Sequence, residues 1–312
     1  MKRLRLGLLY GGTSSERDVS ISGWKVVRKH FDPDRFELEH FDLKTDLAVL
    51  MTRAPKLDAA FICLHGRGGE DGVLQGFLEQ VGLPYQGSGV LASALAMNKQ
   101  LSKLLFRQAG LDVAADIVVT RSDKVDPDLV GKRLGYPIMV KPLREGSSIG
   151  MSLVRDPSIL SKALEQAFSY DSHVLLEEYL NGVEITGAVL GNSRIRALPL
   201  VEIRPGQSHE FFDLTAKYTP GATEEICPAR VSEPITRRAQ AAALKAHEAL
   251  GCRGYSRVDM FVCGDAVKVL EVNTIPGMTD TSLFPQAAQA EGISFSKLLE
   301  ILVDLALGGE LE

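Results

Sequence analysis

The sequence predicts an α/β fold that turns to α+β in its C-terminal half, with a parallel-sheet domain followed by segments built from antiparallel hairpins. Three observations carry that expectation. Strand-like and helix-like runs alternate from Leu4 to about residue 95, a Gly/Ser-rich loop joins two short strands between Pro137 and Val154, and Tyr255–Cys263 with Val267–Asn273 reads as a hairpin. Alternating β and α elements imply a parallel sheet with ligands at the carboxyl ends of its strands. Hairpins imply antiparallel pairing.

The 312 residues allow two or three domains, and at 45% hydrophobic and 24% charged the chain can build a core without staples. A net charge of -5, with no dense Lys/Arg run, speaks against nucleic acid as a partner. The four cysteines lie far apart without a Cys-x-x-Cys, which argues against a disulfide framework and a zinc ribbon. The basic, then apolar start is cut short by Gly11-Gly12 and reads as a first strand, not a signal peptide. No apolar run approaches the ~20 residues that span a bilayer, so neither a membrane partner nor a membrane location is expected, and the cytoplasm is.

In chain order, Leu4–Tyr10, Phe36–Leu43 and Ala59–His65 read as strands, and Val19–His30 and Gly72–Val81 as helices. Two loops fall at strand ends, Gly11–Asp18 and His65–Gly72; neither is a dinucleotide fingerprint nor a P-loop. Glu16 and His65 stand there as polar groups at the rim of an apolar sheet, and function suits both, although His65 equally suits a satisfied structural role. A boundary is expected near Gly87-Ser88-Gly89, then one helix with Leu95, Leu101, Leu104 and Leu105 as its apolar pattern, ending at Gly110. Lys99, near that helix's start, gains nothing from the helix dipole and by itself reads as an exposed lysine.

Ile138–Val140 and Met151–Val154 read as strands flanking Lys141 and the loop Gly146-Ser147-Ser148-Ile149-Gly150. An ammonium at the end of an apolar strand needs an anion. The loop's N–H groups and the hydroxyls of Ser147 and Ser148 suit phosphate oxygens. After a helix at Pro157–Tyr170, residues 174–186 read as strand, turn and strand, where Glu177 to Leu180 suit a base edge and Glu184 a ribose. A strand (Ile195–Arg204), a long loop with Lys217 and Tyr218, and an alanine-rich helix (Pro234–Leu250) follow, and amphipathic helices fill Leu283–Ala306.

The hairpin at 255–273 places Arg257 and Asp259 on one face of the first strand, and Glu271 and Asn273 on one face of the second. A three-residue loop (264–266) sets Asp259 opposite Glu271; a two-residue loop sets it opposite Leu270. Facing carboxylates repel unless a cation intervenes. Two carboxylates and an amide oxygen suit Mg²⁺ or Mn²⁺, not Zn²⁺. A surface hairpin with solvated acids is the alternative, but Leu270 and Val272 flank Glu271 and make poor water-facing neighbours.

Taken together, residues 11–20, 64–76, 83–89, 141–151, 216–218, 257–259 and 271–279 resemble, in order and over essentially the whole chain, the ATP-grasp superfamily and within it the D-alanine–D-alanine ligases. The resemblance implies an ATP-grasp fold of three domains, drawn here at 1–95, 96–180 and 181–312, with two antiparallel sheets clasping ATP. It implies ATP-dependent joining of two D-alanines through an acyl phosphate for peptidoglycan precursors, by a homodimer. A ligase with D-lactate, D-serine or another second substrate is the alternative; a module that binds nucleotide without ligating, and a hydrolase built on Ser147 and His65, rank below both.

Residue by residue, the resemblance assigns Lys99 and Lys141, with Ser147 and Ser148, to ATP phosphates, which reverses the reading of Lys99 taken alone. It gives Glu177, Glu178, Tyr179 and Leu180 to adenine, Glu184 to ribose, and Asp259, Glu271 and Asn273 to two Mg²⁺ or Mn²⁺ ions; a monovalent cation is left open. Glu16, with His65 nearby, takes the first D-alanine, and Arg257 and Gly277 hold the oxyanion. Lys217, counted also toward nucleotide, and Ser282 grip the second carboxylate, and Glu16, Ser147 and Tyr218 tie the closing loop to substrate. Tyr218 argues for the dipeptide over the D-lactate product. Three positions depart from the family's habit: Asn98 where aspartate is frequent, Glu178 where lysine is frequent, and Thr281 where some relatives carry His or Tyr.

Overall fold

The computed structural model describes residues 3–206, 223–279 and 281–311. Its first sheet is parallel, in the order β2 (Phe36–Asp42), β1 (Leu4–Tyr10), β3 (Ala59–Ile62). A parallel sheet needs cover on both faces. On one face, Leu6, Leu8 and Phe61 pack with Val27 of α1 (Arg17–His30) and with C-terminal helices α9 (Leu283–Ala290) and α10 (Phe295–Ala306). On the other, Leu9 and Ile62 pack with Leu50 of α2 (Leu47–Arg53) and Leu74 and Leu78 of α3 (Val73–Gln80). The tail's amphipathic faces, which had no evident task in the sequence, therefore close the first sheet.

The expected single helix after Gly89 is two, α4 (Val90–Met97) and α5 (Lys99–Gln108). Asn98 leaves helical geometry at φ -93°, ψ 97°, and its side chain accepts a hydrogen bond from Leu101 N at 3.1 Å. Asparagine caps a helix as well as aspartate does, so the Asn98 departure costs α5 nothing evident. The apolar pattern expected of this helix is also corrected. Leu101 and Leu104 are exposed, while Lys103 and Phe106 are buried. That face of α5 turns inward because buried carboxylates await Lys103 there.

A four-stranded antiparallel sheet follows in the order β5 (Asp116–Thr120), β8 (His173–Glu178), β6 (Ile138–Pro142), β7 (Ser152–Val154), backed by α6 (Pro127–Leu134) and α7 (Leu160–Phe168). The seven-stranded sheet runs β12 (Thr223–Ile226), β11 (Val201–Pro205), β9 (Val183–Gly191), β13 (Gly254–Cys263), β14 (Ala266–Asn273), β4 (Asp112–Val113), with β10 (Arg196–Ala197) on β9. Its core side is covered by α8 (Glu233–Ala249). All pairings in it are antiparallel except β14 with β4.

Two expectations change here. The strand read at Ile195–Arg204 is split, because Pro199 has no N–H to give a ladder. Residues 174–186 are no hairpin: β8 joins the four-stranded sheet and β9 the seven-stranded one, so residues 179–182 cross between sheets. No described helix is long and apolar enough to cross a membrane.

Candidate active site

The two sheets face each other across a cleft. Lys99, Lys141, Ser147, Ser148, Glu177, Glu178, Tyr179, Leu180, Glu184, Asp259 and Glu271 all line it. The bases of this geometry are local. Side chains alternate along β6, so Lys141 turns away from the packed face that holds Val140 and Ile138. Its Nζ meets Glu177 Oε2 at 2.5 Å. Lys103 from α5 touches the other Glu177 oxygen and lies 3.2 Å from Asp116 Oδ1. Burial raises the Glu177 carboxyl, but Lys141 and Lys103 overcome it and bring the pKa down to about 2. Burial likewise works against the Lys141 ammonium, and the Glu177 charge outweighs it, so Lys141 is more basic than a free lysine. The Glu177 carboxylate and the Lys141 ammonium thus hold each other in their charged forms.

The opposite wall is the β13–β14 hairpin. Asp259 lies opposite Glu271 and Arg257 opposite Asn273, as the metal reading requires, but by another route than a three-residue loop. Cys263 pairs with Ala266, so the loop is the two residues Gly264 and Asp265, with Gly264 at φ 61° as a tight hairpin demands. A bulge at Leu270 then shifts the register between Met260 and Asp259. Leu270 and Glu271 both line the cleft as a result.

The facing acids are already neutralised by the protein. Arg257 donates Nε and Nη2 to the two Asp259 oxygens at 2.8 Å each, Thr186 Oγ1 donates at 2.8 Å, and Asn273 Nδ2 at 3.1 Å. Lys99 Nζ lies 3.5 Å from Glu271 Oε2 and donates to the Glu145 carbonyl at 2.6 Å. Burial disfavours the Arg257 charge, and Asp259 restores it and more. Among the described residues no three His, Cys, Asp or Glu side chains form a ready metal cage. The donors Asp259, Glu271 and Asn273 are all hard oxygens and fit Mg²⁺ or Mn²⁺ bound together with phosphate, the habit of ions that keep few protein ligands.

The loop between β6 and β7 closes over the cleft. Ser147 and Ser148 both have left-handed backbone, φ 49° and 59°, which costs a non-glycine residue about 1–2 kcal/mol each. Contacts from three directions hold it. Ser147 Oγ donates to Glu16, Arg67 Nε meets Glu145 Oε1 at 2.8 Å, and Arg144 grips Asp171 through Nε at 3.0 Å and Nη2 at 2.5 Å. Glu16 is buried at the start of α1, against Gly66 and Gly146. His65 Nδ1 pairs with Glu70 Oε1 at 3.0 Å. Burial lowers the His65 pKa, and Glu70 and the charge of Glu16 more than reverse that.

Gly277 and Ser282 meet at the head of α9, where a Cβ on Gly277 would stand 3.0 Å from Ser282 Oγ. Ser282 Oγ accepts from Thr279 N at 3.0 Å. The backbone carbonyl of Thr281 accepts from Gln286 at 2.8 Å. Lys217 and Tyr218 lie outside the described residues. Lys103, Asp116, Arg67, Glu70 and Glu145 were missed in the sequence. None of them carried a signal of its own; Lys103 stands among leucines on a helix, where a lysine normally faces water.

Two sheets closing on a cleft that carries paired lysines, a buried carboxylate held ionised and a glycine-serine loop define an ATP-grasp enzyme. Comparison with known proteins narrows this. The C-terminal D-ala D-ala ligase model matches residues 105–304 and the N-terminal model residues 44–88. D-alanine–D-alanine ligases of Syntrophobacter fumaroxidans and Geobacter sulfurreducens are 55% and 46% identical, covering 98% and 99% of this chain and 98% and 97% of theirs. The Bacillus anthracis D-alanine–D-alanine ligase, solved with ATP, superposes at TM-score 0.85 and 36% identity over 98% of both chains. The VanG D-Ala:D-Ser ligase of Enterococcus faecalis does so at 0.83 and 31%, over 98% of this chain and 100% of its own. The chain belongs to the D-alanine–D-alanine ligase family.

Proposed function

We propose that this protein joins two D-alanines to D-alanyl-D-alanine at the expense of ATP, for peptidoglycan precursors, in the cytoplasm and as a homodimer of three-domain chains with boundaries near residues 95 and 180. The observation that carries this reading is the single cleft in which Lys99, Lys141 and Glu177 face Asp259 and Glu271. ATP lies with its base against Glu177, Glu178, Tyr179 and Leu180, its ribose at Glu184, and its phosphates at Lys99, Lys141, Ser147 and Ser148. Asp259, Glu271 and Asn273 hold two Mg²⁺ or Mn²⁺ ions, which when bound offset the negative charge on the phosphates.

Glu16 receives the ammonium of the first D-alanine, with His65 beside it. A carboxylate oxygen of that D-alanine attacks the γ-phosphorus, the bond to the β–γ bridging oxygen breaks, and ADP leaves an acyl phosphate. The amine of the second D-alanine, held at its carboxylate by Lys217 and Ser282, then attacks the acyl carbon. Arg257 and the Gly277 N–H stabilise the oxyanion, each such donor being worth about 3 kcal/mol in comparable sites. Phosphate leaves with its electron pair, and the amine gives up a proton. Glu16, Ser147 and Tyr218 link loop closure to the first substrate.

A second reading, with D-serine as second substrate, draws on the VanG neighbour at 31% identity, against 55% for a D-alanine relative. The test is ADP release and product mass with ATP and D-alanine, alone and then mixed with D-serine, D-lactate or L-alanine. D-alanine-dependent release with a dipeptide mass is expected. Release independent of D-alanine would overturn the assignment.

A further inference from the structure

Glu177 and Glu178 are neighbours with different partners. Glu177 is held by Lys141 and Lys103, whereas Glu178 contacts Lys268 on β14, across the gap between the two sheets. The chain places the acid on β8 and the base on the facing strand. The two side chains are only about a quarter exposed, 24% and 26%. Glu178 lines the nucleotide cleft and, with Lys268, also borders an adjoining open groove that includes Arg107 and Arg133. The pair is therefore the partition between the two spaces.

Backbone pairing shows which end of the cleft this is. Asp112 pairs with Lys268 itself in the seven-stranded sheet, and four residues later Asp116 pairs with Glu177 in the four-stranded sheet. Glu178 N donates to the Ala115 carbonyl at 3.0 Å, inside that same short connection. Residues 112–116 thus sew the two sheets together beside the ion pair, which lies where the chain links them.

We propose that Glu178 and Lys268 form a clasp beside this link that fixes the separation of the two sheets there and so sets nucleotide affinity. The proposal rests on the nucleotide-binding reading above. It makes Lys268 a positioning residue: it acts on ATP through the spacing of the walls, not through the reacting atoms. A partly buried pair gains more than a surface one, because less solvent screens it and its loss strands a charge.

The test is Lys268→Met beside the conservative Lys268→Arg, which leaves Glu178 and the cleft lining as they are. Lys268→Met should raise KM for ATP about fivefold, with kcat at saturating ATP within twofold and the melting temperature within a few degrees. Lys268→Arg, which keeps a cation for Glu178, should hold KM within twofold of the unsubstituted protein. Calorimetric titration with ADP reads the same change without any turnover, so a failed ligation assay and a failed clasp are distinguishable. Unchanged ADP affinity in Lys268→Met, or Lys268→Arg as weak as Lys268→Met, would overturn the proposal.

Discussion

Glu177 is kept ionised by two lysines from different elements, Lys141 on β6 and Lys103 on α5, and Lys103 in turn shares itself with Asp116. Removing one cation from such a buried group leaves charge uncompensated. Lys103→Met is therefore expected to cost about 3–5 kcal/mol of stability, read from denaturant unfolding. The pH dependence has a definite sign. The Glu177 pKa falls to about 2 in the fold, so its stabilising share is complete above the unfolded carboxyl value of about 4.3 and disappears as pH drops through about 2. The gap between Lys103→Met and the unsubstituted protein should narrow over that window; a gap that stays constant would mean that Glu177 is not what Lys103 serves. Lys141 was legible because it ends an apolar strand, whereas Lys99 alone read as an exposed lysine and only the family resemblance reversed that. Lys103 was not, because a lysine among leucines on a helix normally faces water, and only the fold shows that Leu101 and Leu104 take the outside.

At the scale of elements, the hairpin register was legible and its cause was not. A two-residue loop alone would have set Asp259 against Leu270. The bulge absorbs one residue, so Glu271 recovers its place and Leu270 is added to the cleft lining. Bulges have no clear sequence signature when no glycine marks them. Deleting Leu270 should restore a regular ladder with Asp259 still opposite Glu271. The expected result is a folded enzyme, active at saturating ATP, with KM for ATP raised about tenfold; loss of all activity would show that the bulge shapes more than the slot. The helix α8 gives a second expectation. His247 Nδ1 meets Ser256 Oγ at 2.7 Å, and burial pushes the imidazole pKa down to about 4. The unfolded chain binds that proton near pH 6.5, so stability falls as pH drops from about 6.5 toward 4, by at most about 3 kcal/mol. A His247→Gln variant should show a flatter melting-temperature profile across that window.

At the scale of the whole molecule, the separate sheets matter less than the loop that ties the four-stranded sheet to the loops of the first. The alternation of the first hundred residues and the later hairpins made each sheet readable, since local periodicity reports local pairing. What no local pattern reports is that β8 and β9 part company, or that residues 144–148 are gripped from the first sheet's loops. Arg67, half exposed, reaches Glu145 Oε1 at 2.8 Å and the Tyr170 carbonyl at 3.2 Å, while Glu16 takes Ser147. These contacts oppose the cost of two left-handed serines, about 2–4 kcal/mol in sum, so the closed loop is a balance of comparable terms. Arg67→Ala removes one side of that balance without touching the core. It should speed proteolytic cleavage at Arg144 severalfold in the ligand-free protein, leave the melting temperature within a few degrees, and regain protection when ATP and D-alanine are added together. Cleavage at an unchanged rate would mean that, of the two contacts from the first sheet's loops, Ser147–Glu16 is the one that matters. In that case Ser147→Ala, not Arg67→Ala, should open it, which makes the two variants a direct measure of how the closing force is divided between the first sheet's two loops.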